Sequence, residues 1–317
     1  MEEKLSSSKE VSAKGLKVFV IVQIFILFLT TIIMLQGGYY TWSLFVAIPF
    51  SLGLTIGYYT KVTKSVSWLK KLSILFFLLV AICAALMAIG LEGFICVLMA
   101  LGLIVLPALL GMFFGYLIRK IYLINFILVV VLLNSSFIVY DLNGRKRFEA
   151  EAELSVVINQ QPEKIKTILK SKFTFSEHPN FLFKNGISYP KSMQVQNINN
   201  KLCLVCSLNN SKVSLPIQEL SDSVIRFTTQ TNVLVMEEVN PFHKVEAKHQ
   251  QGYFKIVYGE FRVRELENNK TLLIAKTKYQ YQVTPAFYWR WWTNYIVQEM
   301  HEHVLSDIKR NAETRGK

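Results

Sequence analysis

Residues from about 18 to 140 are almost continuously apolar, broken by a few lysines, whereas the C-terminal remainder of the chain alternates with the period of a sheet and ends in one amphipathic helix. A single water-soluble core cannot be built from the first tract, and hydrocarbon cannot be crossed by the second. The mean hydropathy of +0.32 averages two solvents. Whatever the C-terminal part does is therefore expected to happen at a bilayer surface.

About 18 to 20 apolar residues are needed to cross hydrocarbon. Five segments come near that length: 18–35, 44–59, 72–91, 94–118 and 121–140. Lys4, Lys9, Lys14 and Lys17 precede the first, Lys61, Lys64, Lys70 and Lys71 follow the second, and Arg119 with Lys120 follow the fourth. The other breaks hold no basic residue. Positive charge stays inside, so the N-terminus is expected in the cytoplasm. Five crossings put the C-terminal domain outside. Four crossings, with one re-entrant segment, would return it to the cytoplasm, and Arg145, Lys146 and Arg147 argue for that alternative. The expected organisation is a polar cytoplasmic N-terminus over residues 1–17, a transmembrane region of about five helices over 18–144, and a folded domain over 145–317.

The formal charge of +13 is not a nucleic-acid signal. Residues 1–140 carry 10 Lys+Arg against 4 Asp+Glu and the remainder 25 against 18, with no basic run interleaved with aromatics. The four cysteines form no disulfide framework. Cys83 and Cys96 lie in apolar segments, and Cys203 and Cys206 are three apart on an expected strand, so their thiols point to opposite faces. Gly53 with Gly57 and Gly111 with Gly115 have the spacing that lets helices approach closely in lipid. Pro49 and Pro107 are candidate kinks. Glu92 is a functional candidate if it sits at membrane depth, but its place in a short turn is read as a solvated loop carboxylate.

Pro162 opens a short helix with Ile165, Ile168 and Leu169 on one face. Three alternating rows come next along the chain: Leu202, Leu204, Cys206 and Leu208; Ile225, Phe227, Thr229, Thr231, Val233 and Val235; and Val257, Gly259, Phe261 and Val263. The clearest strand, 273–283, has Leu273, Ala275, Thr277, Tyr279, Tyr281 and Val283 inward and Lys276, Lys278, Gln280 and Gln282 outward. One wet face means an antiparallel sheet. Asn268 and Asn269 mark the hairpin before this strand. Thr284 and Pro285 open the last helix, whose apolar stripe is read as Trp289, Trp292, Ile296, Met300, Val304 and Ile308. The expected fold is thus an α-helical transmembrane bundle followed by an α+β helix-grip domain, in which a curved antiparallel sheet wraps one long C-terminal helix.

Certain residues carry a family likeness. They are Gly186-Ile187-Ser188-Tyr189-Pro190, Gly252-Tyr253-Phe254 leading to Gly259-Glu260-Phe261-Arg262, Tyr279, Pro285 with Tyr288-Trp289, and His301-Glu302-His303-Val304-Leu305. Over roughly residues 150–312 the chain resembles the START-like, polyketide-cyclase-like superfamily. It looks most like a membrane-tethered subgroup, where a stretch similar to Glu92-Gly93-Phe94-Ile95-Cys96 also occurs. The resemblance implies a cavity for apolar or amphipathic ligands, a place in a bacterial inner or plasma membrane, and no fixed catalytic set. Asn199 and Asn200 depart from the usual glycine-rich pattern, which puts the pairing there in doubt.

Tyr279, Tyr281, Trp289, Trp292 and Phe261 are the residues expected to line the space between sheet and helix, weighed against a plain aromatic core. His301 is the polar candidate on the helix; His303, two residues on, points about 200° away and cannot share a metal with it. One of the two is expected to face water. Arg262 would clamp a phosphate or carboxylate if it faced the cavity, and would otherwise pair with Glu260 on the wet face. No nucleophile turn, metal motif or phosphate loop is present, Glu237 and Glu238 point opposite ways on a strand, and no cofactor is implied. The expected partners are membrane lipids and a hydrophobic small molecule. Binding is the primary expectation, with a cyclase- or dehydrase-type enzyme using Tyr279 and His301, or a structural module, as alternatives.

Overall fold

The structure, a computed structural model of the chain, describes residues 2–62, 67–118, 122–144, 146–177, 180–209, 211–229, 240 and 252–314. It forms two compact units, Met1–Arg145 with Asn240–Lys248, and Lys146–Val239 with His249–Lys317.

The first unit is helical: α1 (Glu2–Gln36), a π-type turn over Ser43–Ala47 running into α2 (Ile48–Val62), α3 (Trp68–Ala88), α4 (Phe94–Leu117) and α5 (Leu123–Asn143). Four stretches, Lys17–Gln36, Trp68–Ala88, Phe94–Leu117 and Leu123–Asn143, are long and apolar enough to cross a membrane, and Ser43–Tyr59 is a shorter apolar helix. The shorter helix is the central one: residues 51–58 are all buried. Phe76, Phe77, Leu106, Ile124 and Leu128 on its neighbours point outward and are exposed. In water that arrangement would be inside out.

The glycines explain why α2 is enclosed. A Cβ at Gly53 would lie 1.8 Å from the Ala108 carbonyl oxygen and one at Gly57 2.1 Å from that of Met112; reciprocally, Gly111 faces Phe50 at 2.0 Å and Gly115 faces Leu54 at 2.1 Å. The two pairs of small residues interlock backbone to backbone. Because residue numbers rise together along both helices, α2 and α4 run parallel. Pro107 lies inside α4 beside this crossing, and Pro49 sits in the first turn of α2.

Glu92 departs from expectation. It is 6% exposed and accepts a 2.6 Å hydrogen bond from the Tyr40 hydroxyl, because its turn folds against the segment that joins α1 to α2. The Asn240 amide donates to the carbonyls of Met87 (2.7 Å) and Glu92 (3.3 Å). Asp141 is buried too and accepts from the Ser43 N–H at 2.8 Å. Lys71 lies with its ammonium 4.7 Å over the Tyr116 ring, a cation–π contact that satisfies a buried charge.

The second unit runs β1 (Phe148–Ile158), α6 (Pro162–Lys170), β2 (Phe173–Thr174), α7 (Phe181–Lys184), β3 (Pro190–Ile198), β4 (Lys201–Leu208), β5 (Lys212–Leu220), β6 (Val224–Phe227), β7 (Phe254–Leu266), β8 (Lys270–Tyr281) and α8 (Ala286–Thr314). The strands form one sheet in the order β1-β8-β7-β6-β5-β4-β3-β2, antiparallel at every pairing. With α8 packed on β1 and β8, this is a helix grip. Asn199 (φ 50°) and Asn200 (φ 61°) turn the β3–β4 hairpin, as Asn268 (φ 61°) and Asn269 (φ 55°) turn β7–β8. Asparagine tolerates the left-handed conformation that both central positions of such a two-residue turn require. The expected continuation of the β6 row through Thr231, Val233 and Val235, like Glu237 and Glu238, lies outside the described residues.

One sheet face buries Leu204, Leu215, Ile225, Val263, Leu273 and Ala275 against α6 and the C-terminal half of α8. The other face carries a charged row. Glu153, Lys276, Glu260, Arg226 and Glu219 are register partners on five adjacent strands, alternating in sign. Arg226 reaches Glu260 at 2.6 Å and Glu219 at 3.4 Å, and Arg262 reaches Glu260 at 2.6 Å. Burial pulls the Glu260 carboxyl up, but the two guanidiniums outweigh it and hold the carboxyl below its ordinary value.

The phase of α8 differs from the expected stripe. Its buried residues are Val297, His301, His303, Val304, Leu305, Asp307, Ile308 and Ala312, while Ile296 and Met300 are only half-buried. His301 and His303 are both buried, contrary to the expectation that one faces water. The sheet covers one side of α8, and Phe175, Ser176 and Tyr189 cover a second: Asp307 accepts from the Ser176 N–H at 2.6 Å, and the His303 ring lies 6.2 Å from Phe175 and 5.9 Å from Tyr189.

Candidate functional site between sheet and helix

Alternation along β8 places Thr277, Tyr279 and Tyr281 on the face turned to α8, and helical spacing brings Asn294, Val297 and His301 to meet them. The Thr277 hydroxyl and His301 Nε2 are 2.8 Å apart. The Tyr279 hydroxyl donates to the Asn294 side-chain oxygen, and the Tyr281 hydroxyl donates to the Ala286 carbonyl at 3.1 Å. Tyr279 is fully buried, its ring stacked on Phe254 with centroids 5.3 Å apart; Tyr281 lies 5.5 Å from Phe148. Ala150, Ala152 and Trp289 complete this aromatic end. The small side chain of Ala150 on β1 leaves room for the ring of Tyr279, its register partner on β8, while Ala152 pairs with Thr277 and Phe148 with Tyr281.

Burial raises the Tyr279 phenol to about 12, with the neighbouring Tyr281 adding to it and Arg290 opposing. Burial also lowers His301 to about 4, so its imidazole is neutral at pH 7. His301 Nδ1 and Trp292 Nε1 are buried and make no hydrogen bond. Buried polar atoms of this kind are exceptional in folded proteins. The site thus offers an aromatic wall, hydroxyls tied to the protein, and a neutral imidazole with one nitrogen uncommitted.

The structure brings Tyr279, Tyr281, Trp289 and His301 together. Phe261 lies further along the same inward face, half-buried beside Phe227. Trp292 sits on another arc of α8, edge-on to Trp291 at 4.8 Å and to Tyr295 at 6.2 Å. Arg262 is not at the site: the irregularity in β7 falls between Ile256 and Tyr258, ahead of Gly259, so strict alternation holds from there and turns Arg262 outward to Glu260. Asn294 and Thr277, the partners that fix Tyr279 and His301, were not among the expected site residues. Their signal was available: Asn294 lies seven residues before His301, and Thr277 two before Tyr279.

Among the described residues no group of three or more His, Cys, Asp or Glu could hold a metal ion. The four cysteines are free, and burial pushes the Cys206 thiol up to about 12, which leaves it a poor nucleophile.

No family model matches the sequence, and no curated protein does. Similar solved structures cover about half of the chain. The protein XoxI from Bacillus cereus is 10% identical, covering 53% of this chain and 99% of its own, with a TM-score of 0.34. An aromatase/cyclase from a Streptomyces species is 12% identical, covering 54% and 97%, with a TM-score of 0.29. A START superfamily protein from Mycobacterium smegmatis is 12% identical, covering 52% and 97%, also at 0.29. Likeness at this level says nothing of function.

Proposed function

We propose that this is a multi-pass membrane protein whose helix-grip domain binds a hydrophobic or lipid-like ligand between β8 and α8, with Tyr279 and His301 orienting its polar end. The observation that carries the reading is the combination of a largely apolar, aromatic wall with a few convergent polar groups, one of them a buried imidazole nitrogen without a partner. Transfer from bilayer to such a site exchanges one apolar surrounding for another, so little net free energy is needed. Tethering to the membrane raises the encounter rate in place of high affinity.

The outward-facing apolar side chains of α1, α3, α4 and α5 support membrane insertion. The parallel course of α2 and α4 supports a topology in which both enter from the same side, with α3 returning between them. Lys17, Lys70 and Lys71 then share one end of the bundle and Glu92 and Asp141 the other. On this reading the lysines at the first end put the N-terminus in the cytoplasm and the C-terminal domain outside it, with Arg145, Lys146 and Arg147 the charges that run against the positive-inside rule.

An acid–base enzyme is the weaker reading. A phenol raised to about 12 and an imidazole lowered to about 4 have both moved away from the neutral range in which proton transfer is most effective.

The test is photolabelling of the full chain in nanodiscs doped with a diazirine-bearing phospholipid, followed by peptide mapping. Adducts on the peptides carrying Tyr279, Trp289 or His301, reduced in Tyr279→Phe, are the expected outcome. Adducts confined to α1–α5 would reject ligand binding in the grip and leave a domain filled by its own side chains.

A further inference from the structure

We propose that the end of α5 and the start of the helical run that becomes α2 hold a hard monovalent cation, with the Asp141 carboxylate and the Ser43 hydroxyl as its protein ligands. The site lies within the first unit and does not depend on what the grip binds. Asp141 is 4% exposed and sits in the last turn of α5, where it accepts the 2.8 Å hydrogen bond from the Ser43 N–H. That last turn carries no basic residue, and among the described residues no Lys, Arg or His pairs with the carboxylate. The helix ends do not supply the missing charge. The start of the α2 run offers the carboxylate roughly +0.5 of an elementary charge and the end of α5 roughly −0.5, so the two offset one another. A buried carboxylate left close to its full charge is costly until a counter-charge joins it. Acidic side chains inside apolar helices accordingly mark ion sites.

Ser43 supplies a second, independent observation. It is 1% exposed, and its buried hydroxyl makes no hydrogen bond. Elsewhere in the apolar helices Thr30, Thr31, Thr55, Ser73 and Ser136 each donate to the carbonyl four residues back. Ser43 has no such carbonyl, because Tyr39 precedes the helical run. Covalent geometry keeps a serine Oγ within about 4 Å of its own amide nitrogen in every rotamer, so the unpaired oxygen stays beside the carboxylate that this nitrogen contacts. The Thr41 hydroxyl on the same segment is buried and makes no hydrogen bond either. Carboxylate and hydroxyl are hard oxygen donors. One negative charge matches a monovalent ion, whereas calcium collects about six to eight oxygens, several of them from carboxylates. Further along the same pair of helices, Asn134 of α5 donates to Ser51 Oγ of α2 at 2.7 Å. That contact holds α5 against α2 and keeps the two ligands in place before the ion arrives.

The test uses the purified full chain in detergent, with radioactive sodium ion as the probe, binding counted by scintillation proximity, and choline chloride holding the ionic strength constant. The native chain should bind one ion saturably, displaced by unlabelled sodium chloride and not by choline. Asp141→Asn keeps an oxygen for the Ser43 N–H but loses the charge, and should weaken binding by about 30-fold or more. Ser43→Ala should weaken it by about 3- to 10-fold. Ser136→Ala, also on α5 but with its hydroxyl spent on the Leu132 carbonyl, should leave it unchanged. Absence of saturable binding to the native chain overturns the proposal, and so does an affinity that Asp141→Asn leaves intact, which would make the carboxylate a cap for the start of the α2 run and nothing more. Should Asp141→Asn fail to fold, the thermal midpoint decides: it should be higher in sodium chloride than in choline chloride for the native chain, by a margin that shrinks in Ser43→Ala. Equal midpoints in the two salts for the native chain overturn the site.

Discussion

Replacing His301 by Gln should lessen the acid sensitivity of the grip domain between pH 7 and 5. Burial lowers the imidazole from 6.5 to about 4, so between those values the unfolded chain takes up a proton that the folded one refuses. Stability from this site is complete above 6.5 and drains away as pH falls toward about 4. Stopping at pH 5 keeps Glu260, which the guanidiniums hold below its ordinary value, ionised throughout. Over that interval the single histidine removes about 2 kcal/mol, or ~20-fold in the opening equilibrium. Glutamine keeps a hydrogen-bonding end for the Thr277 hydroxyl and has no proton to gain in this range. The assay is amide hydrogen exchange of the full chain in nanodiscs, read at Leu273 in β8 and Ile308 in α8 and corrected for intrinsic rates. Protection of the native protein should fall about 20-fold more than that of His301→Gln. Comparing the two cancels His303 and every other titrating group. Equal slopes in both proteins would refute the assignment of the buried, neutral imidazole.

Gly111→Ala places a methyl group where the Phe50 carbonyl oxygen stands 2.0 Å from the new Cβ, so α2 and α4 must part. A cost of about 1–3 kcal/mol is expected, seen as a lower thermal midpoint of the helical circular-dichroism signal in detergent, with Gly15→Ala unaffected because nothing lies within 4 Å of its Cβ. Glu260→Gln leaves Arg226 and Arg262 facing each other without the carboxylate; both guanidiniums are about a third exposed and rehydrate in part. The expected loss is about 1–2 kcal/mol, measured by exchange of the β6 and β7 amides, and a double-mutant cycle with Arg226→Ala should show coupling.

Where one periodicity dominated, the fold was legible in the sequence. The apolar tracts, the glycine spacings, the alternation of β8 and the Asn268-Asn269 turn each specify local structure through a single physical rule. Asn199 and Asn200 obey the same rule as the second pair and were discounted only because a glycine pattern was expected there. The phase of α8 was not legible. Aromatics at Trp289 and Trp292 pull an apolar stripe toward their own arc, whereas a helix covered on two sides buries polar residues such as His303 and Asp307 on what resembles a wet face. Glu92 was misjudged for a related reason: a turn looks solvated until tertiary structure lays Tyr40 over it. At the site, Tyr279, Tyr281 and His301 could be placed by parity. The Asn294 and Thr277 contacts depend on how helix and sheet cross, which no local pattern encodes.

Slippage by two residues would leave every apolar side chain of β6 and β7 on its proper face, so hydrophobic alternation cannot forbid it. The alternating charges can. Moved two places in one direction, Arg226 would stand opposite Arg262 in place of Glu260; moved in the other, opposite Tyr258. Ion pairs that contribute modestly to stability thus distinguish between strand alignments that the greasy side of the sheet treats as equivalent, and they make one alignment of the β6–β7 pair the preferred one.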